Sequence, residues 1–172
     1  MTRAAHVLLP LLSLTIVAAC DGRPTVVAPG PASLSSADAA SGPSATGGGW
    51  ITFGASVELI AFTARQREDG TVTGQAEVHN QTAGVNLHID INCLRVVGNL
   101  ATLSGIVTRT SDPFIEGFQA IFQVQDNGEG GNSQPDLMSL VNVYVVGTGV
   151  DCSVPSEFDL TPLERGNVQV RP

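Results

Sequence analysis

The chain has 172 residues and a formal charge of −8, with 16 carboxylates against 8 basic residues. All the basic residues are arginines, and the basic footprint that nucleic acid or anionic lipid headgroups require is absent from this composition. One Trp and six Phe also argue against a large aromatic ligand cage.

Residues 1–19 have the layout of an export signal: Arg3 in a short charged leader, an apolar run from Ala4 to Ala19 interrupted by Pro10, and the small pair Ala18-Ala19 before Cys20. A spanning helix needs about 20 apolar residues, so this run is too short for a permanent membrane helix. Val17-Ala18-Ala19-Cys20 resembles the lipobox of bacterial lipoproteins. That resemblance implies a diacylglycerol on the Cys20 thiol, cleavage just before it, acylation of the new amino end, and an extracytoplasmic protein held to a membrane of the cell envelope by lipid. Ordinary secretion with a cut at the same bond is the alternative. Removing Arg3 leaves 7 arginines against 16 carboxylates, a formal charge of −9.

If Cys20 carries lipid, Cys93 and Cys152 remain as a possible pair in an oxidising compartment. The alternative is two free thiols.

From Asp21 to Gly49 the chain is dominated by Ala, Ser, Gly, Pro and Thr without periodicity. Such a segment cannot bury enough apolar surface to offset its ordering entropy, so residues 20–49 read as a lipid-anchored disordered spacer. Residues 50–172 then form one domain. It contains no convincing helical pattern, and short alternating or apolar runs separated by Gly, Asn and Asp predict an all-β, antiparallel meander. The expected strands are 50–66, bent or broken near Gly54, then 71–80, 85–96, 100–110, 114–125, 137–147 and 166–171. About seven or eight strands in meander order favour an up-and-down barrel, since closure removes edges, over a two-sheet sandwich.

Alternation sets registers. A three-residue loop of Glu68-Asp69-Gly70, with Gly70 left-handed, places Phe62 opposite Ala76 and Ile60 opposite Val78, whereas a two-residue turn would oppose Phe62 to Glu77. A turn at Ala83-Gly84 sets Val78 against Ile89 and Ala76 against Ile91. Beyond Ile91 the apolar phase slips by one, to Leu94 and Val96, which predicts a β-bulge around Asn92-Cys93. Gly98-Asn99 then turns the chain into the next strand.

The order of short motifs in this domain (Phe62-Thr63-Ala64-Arg65, Gly74-Gln75-Ala76-Glu77, Cys93-Leu94-Arg95-Val96, Asp126-Asn127-Gly128-Glu129 and the closing Gly166-Asn167-Val168-Gln169-Val170) is similar to a group of uncharacterised secreted bacterial β-domains ending in a Gly-Asn-Ile/Val-Gln-Val strand. The resemblance implies a β-fold and an exported address, and brings no activity with it.

Two clusters are candidate sites. With the turn at Ala83-Gly84, the polar face of the hairpin sets His79 opposite His88 and Glu77 opposite Asp90, a donor set suited to Zn²⁺ or another transition metal; a solvated sheet face has the same composition. The loop from Asp126 to Asp136 carries Asp126, Asn127, Glu129, Asn132 and Asp136 among glycines, which suits the oxygen-rich coordination of Ca²⁺, though without EF-hand spacing; a polar hairpin loop needs the same residues. There is no Gly-x-Ser-x-Gly elbow, zinc-protease helix or phosphate loop. Phe62, Phe118, Phe122 and Tyr144 either line a barrel cavity or fill the core. The sequence therefore points to an envelope lipoprotein whose β-domain binds or displays without catalysis, toward an unknown envelope protein or small ligand. A small-ligand or Ca²⁺-binding barrel is the alternative, and an enzyme the third reading.

Overall fold

The computed structural model describes residues 42–130, 133–148, 151–153 and 157–172. The signal segment, Cys20 and the spacer up to residue 41 lie outside the described residues. The rest is one antiparallel sheet of ten strands, running β1 (Ser44–Phe53), β2 (Ser56–Gln66), β3 (Val72–Asn80), β4 (Val85–Val97), β5 (Leu100–Thr110), β6 (Gln119–Gln125), β7 (Leu137–Met138), β8 (Asn142–Tyr144), β9 (Thr161–Pro162) and β10 (Arg165–Arg171). The order across the sheet is β10-β1-β2-β3-β4-β5-β6-β7-β9, with β8 also pairing β6. The all-β antiparallel meander is as the alternation predicts.

The ordered domain starts earlier than residue 50. Ser44 to Gly49, assigned by composition to the spacer, belong to β1 and pair with both β2 and β10. Composition misleads here because Gly47-Gly48-Gly49 resembles a flexible linker, yet the strand needs small residues: a Cβ on Gly49 would come within 2.4 Å of the Arg165 carbonyl and 2.9 Å of the Leu163 side chain. The expected strand 50–66 is two strands, reversed at Gly54-Ala55.

The β2–β3 hairpin has the expected register, with Phe62 opposite Ala76 and Ile60 opposite Val78. Gly70 is left-handed at φ +81, and Arg67 N donates to the Thr71 carbonyl across the three-residue loop. The β3–β4 hairpin departs from expectation by two residues. Val78 faces Leu87 and Ala76 faces Ile89, because the connection is the four residues Gln81 to Gly84. Asn80 fixes that longer turn, its Oδ1 accepting from Ala83 N at 2.8 Å, while Thr82 docks the loop on the Ala55 carbonyl. A shift of two preserves faces, so the apolar phase is undisturbed. The bulge between Ile91 and Cys93 occurs where the phase slip requires it, and a second irregularity falls between His88 and Ile89.

The strand expected from 114 starts at Gln119. Asp112 caps a 3-10 turn at Pro113–Ile115, accepting from Phe114 N at 3.1 Å, and proline at the first position suits such a start. The strand expected over 137–147 is split into β7 and β8. Between them, Ser139 Oγ accepts from Gln123 N and Glu58 accepts from Val141 N, so side chains take bonds that a ladder would make.

The sheet is strongly curled. Phe62 on β2 and Phe122 on β6 pack edge to face with ring centroids 5.5 Å apart, although a flat sheet would hold strands that far apart in order roughly 19 Å from each other. Ala45, Ile51, Ile60, Ile89, Leu103, Val107, Val124, Met138 and Val168 fill the concave side with these rings. The expected barrel, however, is not closed by a backbone ladder. The chain passes from β9, which pairs β7, directly into β10, which pairs β1. At that crossover Leu163 N donates to the Asp136 carbonyl and Glu164 N to the Trp50 carbonyl. Beyond it, the outer edge of β10 meets the Asp126–Asp136 loop in place of a strand.

Candidate functional site

The acidic loop is the most organised of the predicted clusters. Asp136 is buried, at 7% exposure, and its two oxygens accept from different parts of the chain: Oδ1 from Asn127 N at 2.8 Å and Oδ2 from Val168 N at 2.7 Å. Asp126 repeats the arrangement, with Oδ1 on Gly128 N at 2.8 Å and Oδ2 on Val170 N at 2.9 Å. Glu129 accepts from Asn167 Nδ2 at 2.9 Å, and Asn127 Nδ2 donates to the Pro135 carbonyl. Alternate amides of the β10 edge are thus satisfied by carboxylates, each a charge-assisted bond stronger than its neutral counterpart. Asn132 lies outside the described residues. The carboxylates of Asp126, Glu129 and Asp136, singled out for Ca²⁺, form the clasp of the sheet's seam.

The hairpin cluster is rearranged by the two-residue shift. His79 faces Asn86 and hydrogen-bonds its Oδ1 through Nδ1. His88 faces Glu77, not His79, and Asp90 faces Gln75. His88 Nδ1 meets Glu77 Oε1, and its Nε2 lies 3.5 Å from Asp90 Oδ1. The two imidazoles are therefore not directly opposed, and each engages its own polar partner. Among the described residues, no three His, Cys, Asp or Glu side chains come together in a way that could hold a metal ion.

Cys93 and Cys152 are joined, with Cα atoms 5.9 Å apart. Cys152 is buried, and its backbone N donates to Ser104 Oγ at 3.3 Å. The bridge thus fastens the chain between β8 and β9 onto the outer side of β4 and β5. Thr102, Ser104, Ile121 and Gln123 are buried although Ala101, Leu103, Phe122 and Val124 supply the concave core, so β5 and β6 are covered on both sides.

Sequence reading missed Glu58. It is 5% exposed, accepting from Asn80 Nδ2 and from Val141 N, each at 3.0 Å. Burial pushes its carboxyl above the ordinary range, against the opposing pull of the bonds from Val141 and Asn80. The signal was available: Glu58 shares the inward phase of Ile60, Phe62 and Ala64. Also missed was the row formed where β1 begins, in which Ser44 lies between Arg65 and Arg171.

Among the described residues, side chains pack the concave interior, and clefts open on other parts of the domain. One of about 180 Å³ is lined by Phe53, Leu140, Asn142, Phe158 and Asp159. Others lie over the β3–β5 face and over the β10–β1–β2 face. No protein-family model, curated protein or solved structure matches the chain.

Proposed function

We propose that this is a lipid-anchored envelope lipoprotein whose β-domain binds or displays without catalysis. The observation that carries the anchoring is Val17-Ala18-Ala19-Cys20 at the end of a short apolar leader. The bridge between Cys93 and Cys152 supports it, since that bond suits an oxidising compartment and leaves Cys20 as the cysteine free for lipid. A binding or display role is supported by the filled interior and by the use of the buried acids. Glu58 and Asp136 both accept backbone amides that hold segments in place, an arrangement that suits a scaffold better than acid–base chemistry. A small-ligand reading finds its support in the clefts that open outside the packed interior.

The test is fractionation of the host envelope together with intact mass. The wild-type chain should enter the membrane fraction with a mass increased by diacylglycerol and acyl groups on a chain starting at Cys20. Cys20→Ser should leave the membrane fraction or stay uncut. Full membrane retention of Cys20→Ser, with a cleaved and unlipidated amino end, overturns the anchoring.

A further inference from the structure

We propose that the start of β1 forms a binding site for a phosphate-type oxyanion, built by Arg65 and Arg171 on either side of Ser44. Directly paired residues project from the same face, and Ser44 is paired with Arg171 on one side and Arg65 on the other. Ala45, Ala64 and Val170, the adjacent residues on these strands, are buried in the core, so the arginine row faces outward. Two positions along, the same face presents Thr46 between Gln169 and Thr63. These six side chains line a cleft of about 230 Å³.

Three features point to an anion. First, the two Cβ atoms are separated by one intervening strand, roughly 10 Å, a span that two arginine side chains can close upon one small ligand. Second, no carboxylate is paired into this row, whose members are Ser44, Thr46, Thr63, Arg65, Gln169 and Arg171. Two like charges held in one row without a counter-ion repel each other, and a bound anion relieves that repulsion. Third, the groups between them are hydroxyls and an amide. The Thr46 hydroxyl donates to the Phe62 carbonyl at 3.3 Å, while Ser44, Thr63 and the Gln169 amide offer donors to the cleft. Planar guanidinium forks with neutral donors between them suit a tetrahedral oxyanion with several acceptor oxygens. The chain's overall negative charge disfavours broad attraction to an acidic surface, so recognition here is local.

The site lies at the end of the domain where the chain arrives from Cys20, with the Pro43 carbonyl bonded to Gln66 N at 2.8 Å. The oxyanion could come from a lipid headgroup or from a soluble phosphorylated molecule. The headgroup source rests on the lipid-anchored reading, whereas the site itself does not.

The test uses the full-length Cys20→Ser chain and inorganic phosphate, followed by titration calorimetry. Saturable binding is expected, weakened at least tenfold in Arg65→Gln and in Arg171→Gln, with the melting temperature of the phosphate-free protein not lowered. Arg109→Gln, on β5, should bind as the wild type does. Absence of saturable phosphate binding overturns the proposal, as does equal weakening by Arg109→Gln, which would mean unspecific charge attraction. Co-sedimentation with phosphatidylcholine vesicles, with and without phosphatidic acid, then separates the sources. Arginine-dependent binding to the phosphatidic acid vesicles identifies a headgroup, and phosphate binding without vesicle binding identifies a soluble phosphorylated ligand. Because neither arm needs lipid on Cys20, failure of the site and failure of the anchoring are told apart.

Discussion

The first six strands, with β10 laddered onto β1, and the chain between β6 and β10 are held together by different means. β1 to β6 are 7 to 13 residues long and neighbours pair along most of their length. After Gln125, β7, β8 and β9 have only 2, 3 and 2 residues, and the work of the ladder passes to Asp126, Asp136, Ser139, Glu58 and a disulfide. Long ladders are satisfied by backbone alone and tolerate most outward side chains. The closing region depends on particular atoms of particular residues, and single substitutions should therefore act most strongly there.

The bridge should show the largest effect. Its sequence separation is 59 residues, for which the loop-closure entropy account gives about 4 kcal/mol. Reduction, or Cys93→Ser with Cys152→Ser, should lower the unfolding free energy by roughly that amount in denaturant titrations. A loss below about 1 kcal/mol would mean that the cover over β5 and β6 holds without the bond, and the contrast between the two regions would weaken.

Next comes the seam. Asp136→Asn keeps one acceptor oxygen and turns an NH₂ toward an amide N–H, either the part-buried Asn127 N or the buried Val168 N, at a cost of about 2–3 kcal/mol. Asp126→Asn, at a less buried position, should cost about 1 kcal/mol. Both should raise amide hydrogen exchange at Val168 and Val170 before exchange rises in β3. Millimolar Ca²⁺ should leave the wild-type melting temperature unmoved, because these oxygens already have donors. A Ca²⁺-dependent rise that Asp126→Asn and Asp136→Asn abolish would reassign the loop as a metal site.

The smallest effect is the pH dependence contributed by Glu58. Its carboxyl is raised by burial above the model-peptide value of 4.5, so the folded state holds the proton more tightly than the unfolded chain. This contribution is fully present below 4.5 and is lost as pH rises through the folded value. Glu58→Gln should remove that component, leaving the stability of the variant flatter than wild type as pH increases above 4.5. Equal slopes for the two proteins would show that Glu58 does not sense its burial.

Strands β2 to β5 and β10, the left-handed turn at Gly70, the turn at Gly98-Asn99 and the bulge at Asn92 could be read from the chain, because each depends on neighbours within a few residues: side-chain alternation, turn chemistry, a slip in phase. The inward position of Glu58 follows from the same alternation. Gly47 to Gly49 misled because composition describes an isolated segment, whereas the strand forms only between β2 and β10. The β3–β4 register was underdetermined for a related reason. Period-two patterning is unchanged by a shift of two, so it fixes the face of His88 without fixing its partner, and the Asn80 turn makes that choice.

The alternation along the chain was enough to establish an antiparallel β-domain, and the cysteine inventory enough to suggest its bridge. How the sheet meets itself was settled in three dimensions. Asp126 reaches Val170 across 44 residues and Glu58 reaches Val141 across 83, and no local pattern encodes such pairs. Arg65 and Arg171 likewise become neighbours only because both flank Ser44. Alternation governs which side of a strand is buried; bonds between distant side chains and backbone govern which residues the curled sheet brings together.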